Sequence, residues 1–426
     1  MRESENRPDG ETVFSGQAGI EMDPSDVIVV GAGIGGAVLA LALGSRGWRV
    51  TVLEREPRPL IMARPEILWS PTPAALDRFG VGEPIRTQAS VKLAAIAVMH
   101  RSRRLAGFTP YNLRASGIDA FSADPGHTRR LIAEAALATG HVEIRRGVEV
   151  RNLVREGDRI AGVEAIQDGQ SLELRARLIV GDDGAHSIVR SAMLPDLKLD
   201  MFPFDFITAA IDWPAEIPPD QARLWMNPRA FHGGIPAVAC LPWPNGRGVL
   251  LMPLPHVRAT GLFAGTPAAF WAQFPETTPL AGVFSSRLRF PDDFHAVRRP
   301  YGHASKYVTA GAAILGDAAH PVSPAGGQGA NAAIWDAMTL ADIAHDALTR
   351  GDLSAARLSR YETFRRPRNR DSVSITERAA GFLRIASGVP GLRWLVPAAL
   401  RTLDCLPFVK SRILRTFASL FVTTEG

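Results

Sequence analysis

Long apolar runs are missing from this chain. No stretch approaches the roughly 20 consecutive apolar residues that a membrane-crossing helix needs, which excludes an integral helical membrane protein. Cysteine is equally scarce. Cys240 and Cys405 are the only two, far apart and outside any metal-ligand spacing. A disulfide scaffold and a zinc site are therefore excluded, no metal is expected, and a reducing, cytoplasmic setting is implied. No stripe of basic residues interleaved with aromatics is present, so nucleic acid is not an expected partner. The first 26 residues have no apolar core segment of the secretory kind. Residues 1–25 read instead as a polar, disordered leader.

What is present describes a soluble globular chain of 426 residues, 46% hydrophobic and 21% charged. That length exceeds one ordinary core and predicts two intimately packed domains and a tail. The formal charge is +5, but from Tyr361 onward eleven basic residues face five acidic ones, so the tail carries the whole excess. Its apolar and basic residues recur at helical spacing, as in LRWLVPAALRTL and VKSRILRTFASLF. Packing back onto the body is the first expectation for it. Peripheral contact with a membrane surface is the sharper alternative.

Val27–Val30 reads as a buried strand running into Gly31-Ala-Gly33-Ile-Gly35-Gly36 and a helix of small residues over 37–43, after which Arg49–Leu53 forms a second strand closing on Glu54. Gly31 permits the tight turn, Gly33 lets a pyrophosphate approach the backbone, and Gly36 lets helix and strand pack closely; Ile34 and Gly35 complete the turn. Glu54 falls about 20 residues on, where an acid accepts hydrogen bonds from a ribose diol. Such an acid argues against a 2′-phosphate, so FAD or NAD is expected in this crevice and NADP is not. Arg64, in the proline-rich loop that follows, is either a contact to pyrophosphate or ribityl oxygens or a solvated surface cation.

A helix is expected from Pro73 to Gly80, and a hairpin from Val91–His100 and Arg104–Phe108. Asp124-Pro125 starts a helix to Ala138. Strands then follow at Val142–Arg145, Val148–Leu153, Arg159–Ile166 and Ser171–Leu174, a β-meander. LIVGDDGAHSIVR (178–190) places Asp183 and Gly184 at a strand's C-terminal end, where open α/β sheets bind ligands, with Ser187 as cap of the next helix. Between 202 and 290, strand-like runs alternate with prolines and with Trp213, Trp225, Trp243 and Trp271. An antiparallel sheet covering a hydrophobic substrate suits this pattern, and plain core is the alternative. Ala312–Leu315 then ends at Gly316-Asp317. A glycine loop follows, with a helix from about Asn331 to Leu348 and another over 355–366.

GAGIGG with Glu54, GDDGAHSIVR and LGDAAHPVSPAGGQGANAAIWDA, in that order, resemble the class A FAD-dependent monooxygenases, the p-hydroxybenzoate hydroxylase-like group, over roughly 26–370. The resemblance implies an α/β fold: a Rossmann-type FAD-binding domain with an inserted β-meander, interleaved with an antiparallel-sheet substrate domain and followed by a helical C-terminal tail. The FAD-binding parts would be 26–90, 110–200 and 300–370, the substrate domain 91–109 and 201–299, and the tail 371–426. It further implies that Gly31, Gly33 and Gly36 hold the pyrophosphate, Glu54 the adenosine ribose and Asp317 the ribityl chain. Pro324, Gly327, Gln328, Gly329 and Asn331 would lie beside the isoalloxazine. Asp183, Gly184 and Arg190 match the motif linked to both FAD and NAD(P)H. Arg64 would touch the flavin, and the backbone at Val150 would flank adenine. Where relatives often carry an Arg or Gln against FAD, this chain has Ala123 and Asp124, with Arg129 and Arg130 further along.

The activity so implied uses NADPH or NADH and O2 to hydroxylate or epoxidise a hydrophobic, aromatic, polyketide-like or prenylated small molecule through a flavin C4a-hydroperoxide. A reductase of the geranylgeranyl-reductase type and a non-catalytic flavin-binding protein are the alternatives. No catalytic base is named. His232 and the few tyrosines are candidates only, and His320 is expected to be structural. A flavin halogenase is disfavoured, because the Trp-x-Trp-x-Ile-Pro signature is absent.

Overall fold

The computed structural model describes residues 25–59, 63–227, 230, 235–324, 327–388 and 392–419. The expected leader lies outside these residues apart from Ser25, which begins the first strand. That strand, Ser25–Val30, is the centre of an eight-stranded sheet. On one side it pairs in parallel with Val50–Glu54, which pairs in parallel with Val142–Arg146. On the other it pairs in parallel with Gln170–Gly181, and that strand with Ala312–Ile314. Near-continuous runs of Val, Ile and Leu form these strands because both faces of the sheet are covered. Helix Ile34–Gly44 (IGGAVLALALG) is buried along its whole length, between the sheet and the helices Gln328–Arg350 and Pro125–Ala138.

Strand Gln170–Gly181 serves two layers. Its first half closes the antiparallel meander of Val148–Glu156 and Arg159–Gln167, and its second half enters the parallel sheet. The expected meander is thus present, with its last strand continuous into the LIVG segment rather than ending at Leu174.

A seven-stranded sheet forms the second layer, in the order His295–Val297, Phe204–Asp212, Arg247–Pro255, Ala237–Trp243, Gln221–Met226, Ala95–His100, Arg103–Phe108. All neighbours are antiparallel except Gln221–Met226 with Ala95–His100. Strand alternation divides its side chains between two faces. Ile207, Ala209, Ile211, Leu250 and Met252 point to the far side, where Phe270, Phe274, Phe284, Phe290 and Phe294 cover them. Trp213, Trp225 and Trp271 also belong to that far cluster, and Trp271 sits on a helix, Pro267–Trp271. Three of the four tryptophans are therefore core. Only Trp243 lies on the near side, with Trp69, Leu241 and Val249.

Several local expectations shift. The run 91–100 breaks into Ser90–Lys92, which pairs with Ala120–Ala123, and Ala95–His100, which joins the large sheet. The helix at 73–80 is a short turn, Pro71–Ala75, then a 3-10 turn, Asp77–Phe79. The helix expected to end at Arg366 runs from Ala355 to Gly388 through Pro367. Arg365 and Asn369, on either side of that proline, both bond the buried Asp336 carboxylate, which holds the two halves in line. The tail forms helices Leu392–Asp404 and Pro407–Ser419. They dock on the Arg103–Phe108 strand and the Pro110–Ser116 helix. The Asp404 carboxylate accepts from Arg104 (2.8 Å), the Gly107 N–H (3.0 Å) and Lys410 (2.8 Å), and Leu414 is fully buried. No described helix is long and apolar enough to cross a membrane.

Candidate functional site

The parallel strands Ser25–Val30, Val50–Glu54 and Gln170–Gly181 end on one side of the sheet, and the turns that follow them wall a cleft. A cavity of about 570 Å³ there is lined by Gly31, Gly33, Glu54, Arg64, Val150, Asp183, Gly184, Asp317 and Pro324, among others. A contiguous one of about 120 Å³ adds Ile34, Gly327, Gln328 and Gly329. Residues from four separate parts of the sequence thus meet in one place. A larger open groove of about 840 Å³, beside Lys306, Glu362 and Arg370, contains no glycine turn and none of these residues.

The glycines are needed here by space. Gly31 has φ +97°, and a Cβ on it would lie 2.4 Å from the Asp182 carbonyl oxygen. A Cβ on Gly36 would lie 2.5 Å from the Gly31 carbonyl oxygen. Gly35 is enclosed by Leu315, Asp182 and Ala333. At Gly184 (φ +80°), by contrast, an added Cβ would meet nothing, because that residue borders the open cleft. Gly327 caps the Gln328–Arg350 helix in the left-handed conformation, φ +63°, so the helix starts three residues earlier than Asn331.

The acids are fixed by backbone donors. Glu54 accepts from the Ala32 N–H (3.0 Å) and the Glu56 N–H (2.9 Å), which ties the end of its strand to the glycine turn. Asp183 accepts from the Ile188 and Val189 N–H groups, 2.7 and 3.1 Å, at the start of the Ile188–Met193 helix. Burial raises its carboxyl above the usual carboxylate range. Ser187 caps that helix through the Arg190 N–H (2.8 Å), as expected. Arg190 in turn donates to the carbonyls of Ala185 (2.7 Å) and Ala318 (3.0 Å), joining this motif to the Asp317 turn.

Arg64 and Arg299, which line the cleft, are each paired with an acid. Arg64 donates to Glu66 (3.0 Å), and Arg299 forms an ion pair with Asp317. Burial, then the neighbouring Arg64, lowers the Arg299 guanidinium to about 10. Asn331 does not line the cleft. Its amide accepts from the Trp69 N–H (3.1 Å) and donates to the carbonyls of Ile67 (2.8 Å) and Gly327 (2.7 Å), so it clamps strand Glu66–Trp69 to the glycine loop. Behind Asp317 lies a buried network centred on Asp336. Its carboxylate accepts from the Gly316 N–H (3.2 Å), Arg365 (2.7 Å) and Asn369 (2.9 Å), and it bonds His320 (2.5 Å). His320 is 1% exposed within that network, which fits a structural part. His232 lies outside the described residues.

Sequence reasoning gave no role to Asp182 or Arg299, and named Arg129 only as one of two arginines further along its helix. Asp182 was visible as the first member of an acidic doublet. Arg129 lies in the first turns of the Pro125–Ala138 helix. It lines the cleft beside Glu54, and burial lowers its guanidinium. Arg299 carries no local signal at all.

A glycine turn with no room for a Cβ, an acid at the end of the second strand, several arginines and a second acid at the far end could hold a dinucleotide with a polyol chain. The comparisons agree. A family described as "FAD binding domain" matches residues 24–376. The chain is 30% identical over 349 residues to 6-methylpretetramide 4-monooxygenase of Streptomyces rimosus, covering 80% of each. It is 27% identical to para-nitrophenol 4-monooxygenase of Pseudomonas sp. (strain WBC-3), covering 80% of this chain and 82% of that one. Among solved structures, P. aeruginosa PqsL in complex with 2-aminobenzoylacetate superposes with a TM-score of 0.73 at 26% identity, covering 86% of this chain and 98% of that one.

Proposed function

Since this chain belongs to the FAD-binding-domain family, as an FAD-dependent monooxygenase of the aromatic-hydroxylase type, we propose that it uses NADPH or NADH and O2 to oxygenate a hydrophobic aromatic or polyketide-like small molecule. In this reading FAD lies along the cleft, with its adenosine end between Glu54, Val150 and Arg129 and its pyrophosphate at the Gly33–Gly36 helix start beside Arg64. A helix N-terminus with free N–H groups favours that negative charge. Asp317 holds the ribityl hydroxyls, and Pro324 with Gly327–Gly329 borders the ring. When bound, the flavin supplies two-electron reduction and O2 activation. The start of the 23-residue Gln328–Arg350 helix borders the cleft at Gln328 and Gly329, and its N–H groups and positive dipole end would stabilise negative charge on a ring held there. Arg299 pairs with one oxygen of Asp317, and the carboxylate has acceptor capacity left for a ribityl hydroxyl.

The observation that carries the substrate class is the near face of the seven-stranded sheet. Phe206, Thr208 and Leu251 line the same cavity as Arg64 and Asp317. With Val297 and His295 of the edge strand, which pair with Phe206 and Thr208, they form a largely apolar roof that offers a hydroxyl and an imidazole as polar contacts, which suits a flat, largely apolar ring system. Two thiols without a partner, Cys240 and Cys405, are consistent with a reducing cytoplasmic setting. For the tail we propose docking on the body as its main part. Its outward residues Leu395 and Phe408 stay exposed, and vesicle co-sedimentation of the full chain and of a chain ending at 391 tests a further membrane contact. The activity is tested by substrate-stimulated NAD(P)H oxidation under 18O2, with 6-methylpretetramide and para-nitrophenol as first compounds. Label in the product supports the reading. Flavin reduction without label in any product of a broad aromatic panel removes the oxygenase step.

A further inference from the structure

The dinucleotide helix Ile34–Gly44 starts at Gly33, which has no side chain to cap it. A cap arrives from another strand. Asp182, the residue after Gln170–Gly181, is anchored by its own N–H on the Val30 carbonyl (2.8 Å) and accepts the Gly36 N–H at 2.6 Å through Oδ2. Its carboxyl fills the space that side chains would need at four glycines. A Cβ on Gly33 would lie 2.4 Å from Oδ2 and one on Gly36 3.2 Å; from Oδ1 the figures are 3.0 Å at Gly35 and 3.1 Å at Gly316. Two glycine turns of different motifs, 31–36 and 316, thus close around one carboxyl. The same carboxyl borders both cavities of the cleft.

On the reading that the cleft holds FAD, this carboxyl and the diphosphate share one helix terminus. We propose that Asp182 caps the dinucleotide helix as the neutral acid, and that FAD binding above neutral pH is accompanied by uptake of one proton at this residue. The proton comes from solvent and goes to Oδ1, since Oδ2 faces the Gly36 donor. As a carboxylate, Asp182 would set a third negative charge beside the two of the diphosphate. As the acid, it keeps the Gly36 hydrogen bond without that repulsion.

The charged groups around it divide two against one. Asp183 on its own turn and Asp336 on the Gln328–Arg350 helix disfavour ionisation, while Arg64 from the 63–66 loop favours it. Glu66 and the Arg299–Asp317 pair also border the cleft, each as part of an ion pair. Burial is the largest influence. It outweighs the Gly36 hydrogen bond and pushes the carboxyl up to about 8.

Linkage gives the size of the effect. With a midpoint near 8 in the free protein and a higher one in the complex, affinity is flat below the midpoint and falls by about tenfold per pH unit above it. The test is FAD titration of the apoprotein by quenching of flavin fluorescence from pH 6 to 9. Wild type is expected to bind about tenfold more weakly at pH 9 than at pH 7. Asp182→Asn keeps an oxygen for Gly36 and is expected to bind equally at both. A pH-independent wild-type Kd, or an Asp182→Asn protein with the wild-type pH dependence, overturns the proposal. An absence of FAD binding at every pH overturns the cofactor reading instead. Should Asp182→Asn not fold, proton uptake by wild type is read directly, by calorimetry at pH 9 in buffers of different ionisation enthalpy. Zero uptake then overturns the proposal and close to one proton supports it.

Discussion

Replacing Asp336 by Asn probes the scaffold behind the flavin end of the cleft. The carboxylate and its partner Arg365 are both fully buried. Burial by itself would raise the Asp336 carboxyl, but His320 and Arg365 outweigh it and hold the group well below the usual carboxylate range. An Asn has the same shape but no charge, and its NH2 must face either Arg365 or the Gly316 N–H as donor against donor. Removing one partner of a buried, hydrogen-bonded ion pair costs about 3–5 kcal/mol, because the other charge is left uncompensated. Against a total of about 5–15 kcal/mol for a folded domain, that is a large share. The sign with pH follows from the depressed carboxyl. Its stabilisation is fully present above the unfolded-state value of about 3.9 and is lost as pH falls through the lower folded one. The gap between wild type and Asp336→Asn should therefore be full at pH 7 and shrink below about pH 4. Urea unfolding of both apoproteins at several pH values measures it. A difference under about 1 kcal/mol at pH 7 would refute the reasoning, since it would mean that Arg365 finds another partner or leaves the core.

Three further outcomes are expected. Asp317→Ala should weaken FAD binding by about 10- to 150-fold, the equivalent of one charge-assisted hydrogen-bond site at 1.5–3 kcal/mol, with an unchanged far-UV spectrum; protein purified fully yellow would remove Asp317 from the site. Gly31→Ala combines a φ of +97° with a Cβ at 2.4 Å from a backbone oxygen, so a loss of at least about 1–3 kcal/mol from the backbone alone should appear in thermal melts of the apoprotein, together with reduced FAD content. Asp404→Ala removes the acceptor shared by Arg104, Gly107 and Lys410. Limited proteolysis should then cut within 392–419 sooner than in wild type while FAD content stays the same, and equal protection of both proteins would show that apolar packing around Leu414 alone holds the tail.

The parts of the fold that were legible are those whose cause is local. Buried strands over 27–30 and 312–314 announce themselves as apolar runs, and Gly31 as a turn that no other residue enters. The cap at Ser187 needs only its own helix. Alternation in 204–212 and 247–255 gives two faces, but the pattern does not say which face meets the cofactor. That is why Trp225 and Trp213 read as readily for a substrate wall as for core. The answer depended on the segment 256–294, whose helices 256–263, 267–271 and 281–287 and connecting loops bring Phe270, Phe274, Phe284, Phe290 and Phe294 onto the far face. The continuation through Pro367 was hidden for a similar reason. Proline's local preference ends a helix, and only Asp336, some thirty residues earlier, supplies the counterweight.

The acids show the limit most clearly. Glu54 and Asp317 stand at strand ends, Glu54 where the glycine spacing expects a ribose acid and Asp317 where the family resemblance expects a ribityl contact. Asp336 stands in the motif of Asp317, five residues from Asn331, and Asp182 in the middle motif beside Asp183, yet neither is called for by the spacing. Their surroundings arise from contacts across the chain: Gly36 and Gly316 for Asp182, His320 and Arg365 for Asp336. Those surroundings drive the two carboxyls in opposite directions, because Asp336 gains cationic partners that overcome burial and Asp182 gains only a backbone donor and a distant arginine. A glycine motif therefore marks where a diphosphate can approach the backbone. The pH at which it approaches most readily is decided by which buried acid lacks a cation, and that depends on tertiary contacts.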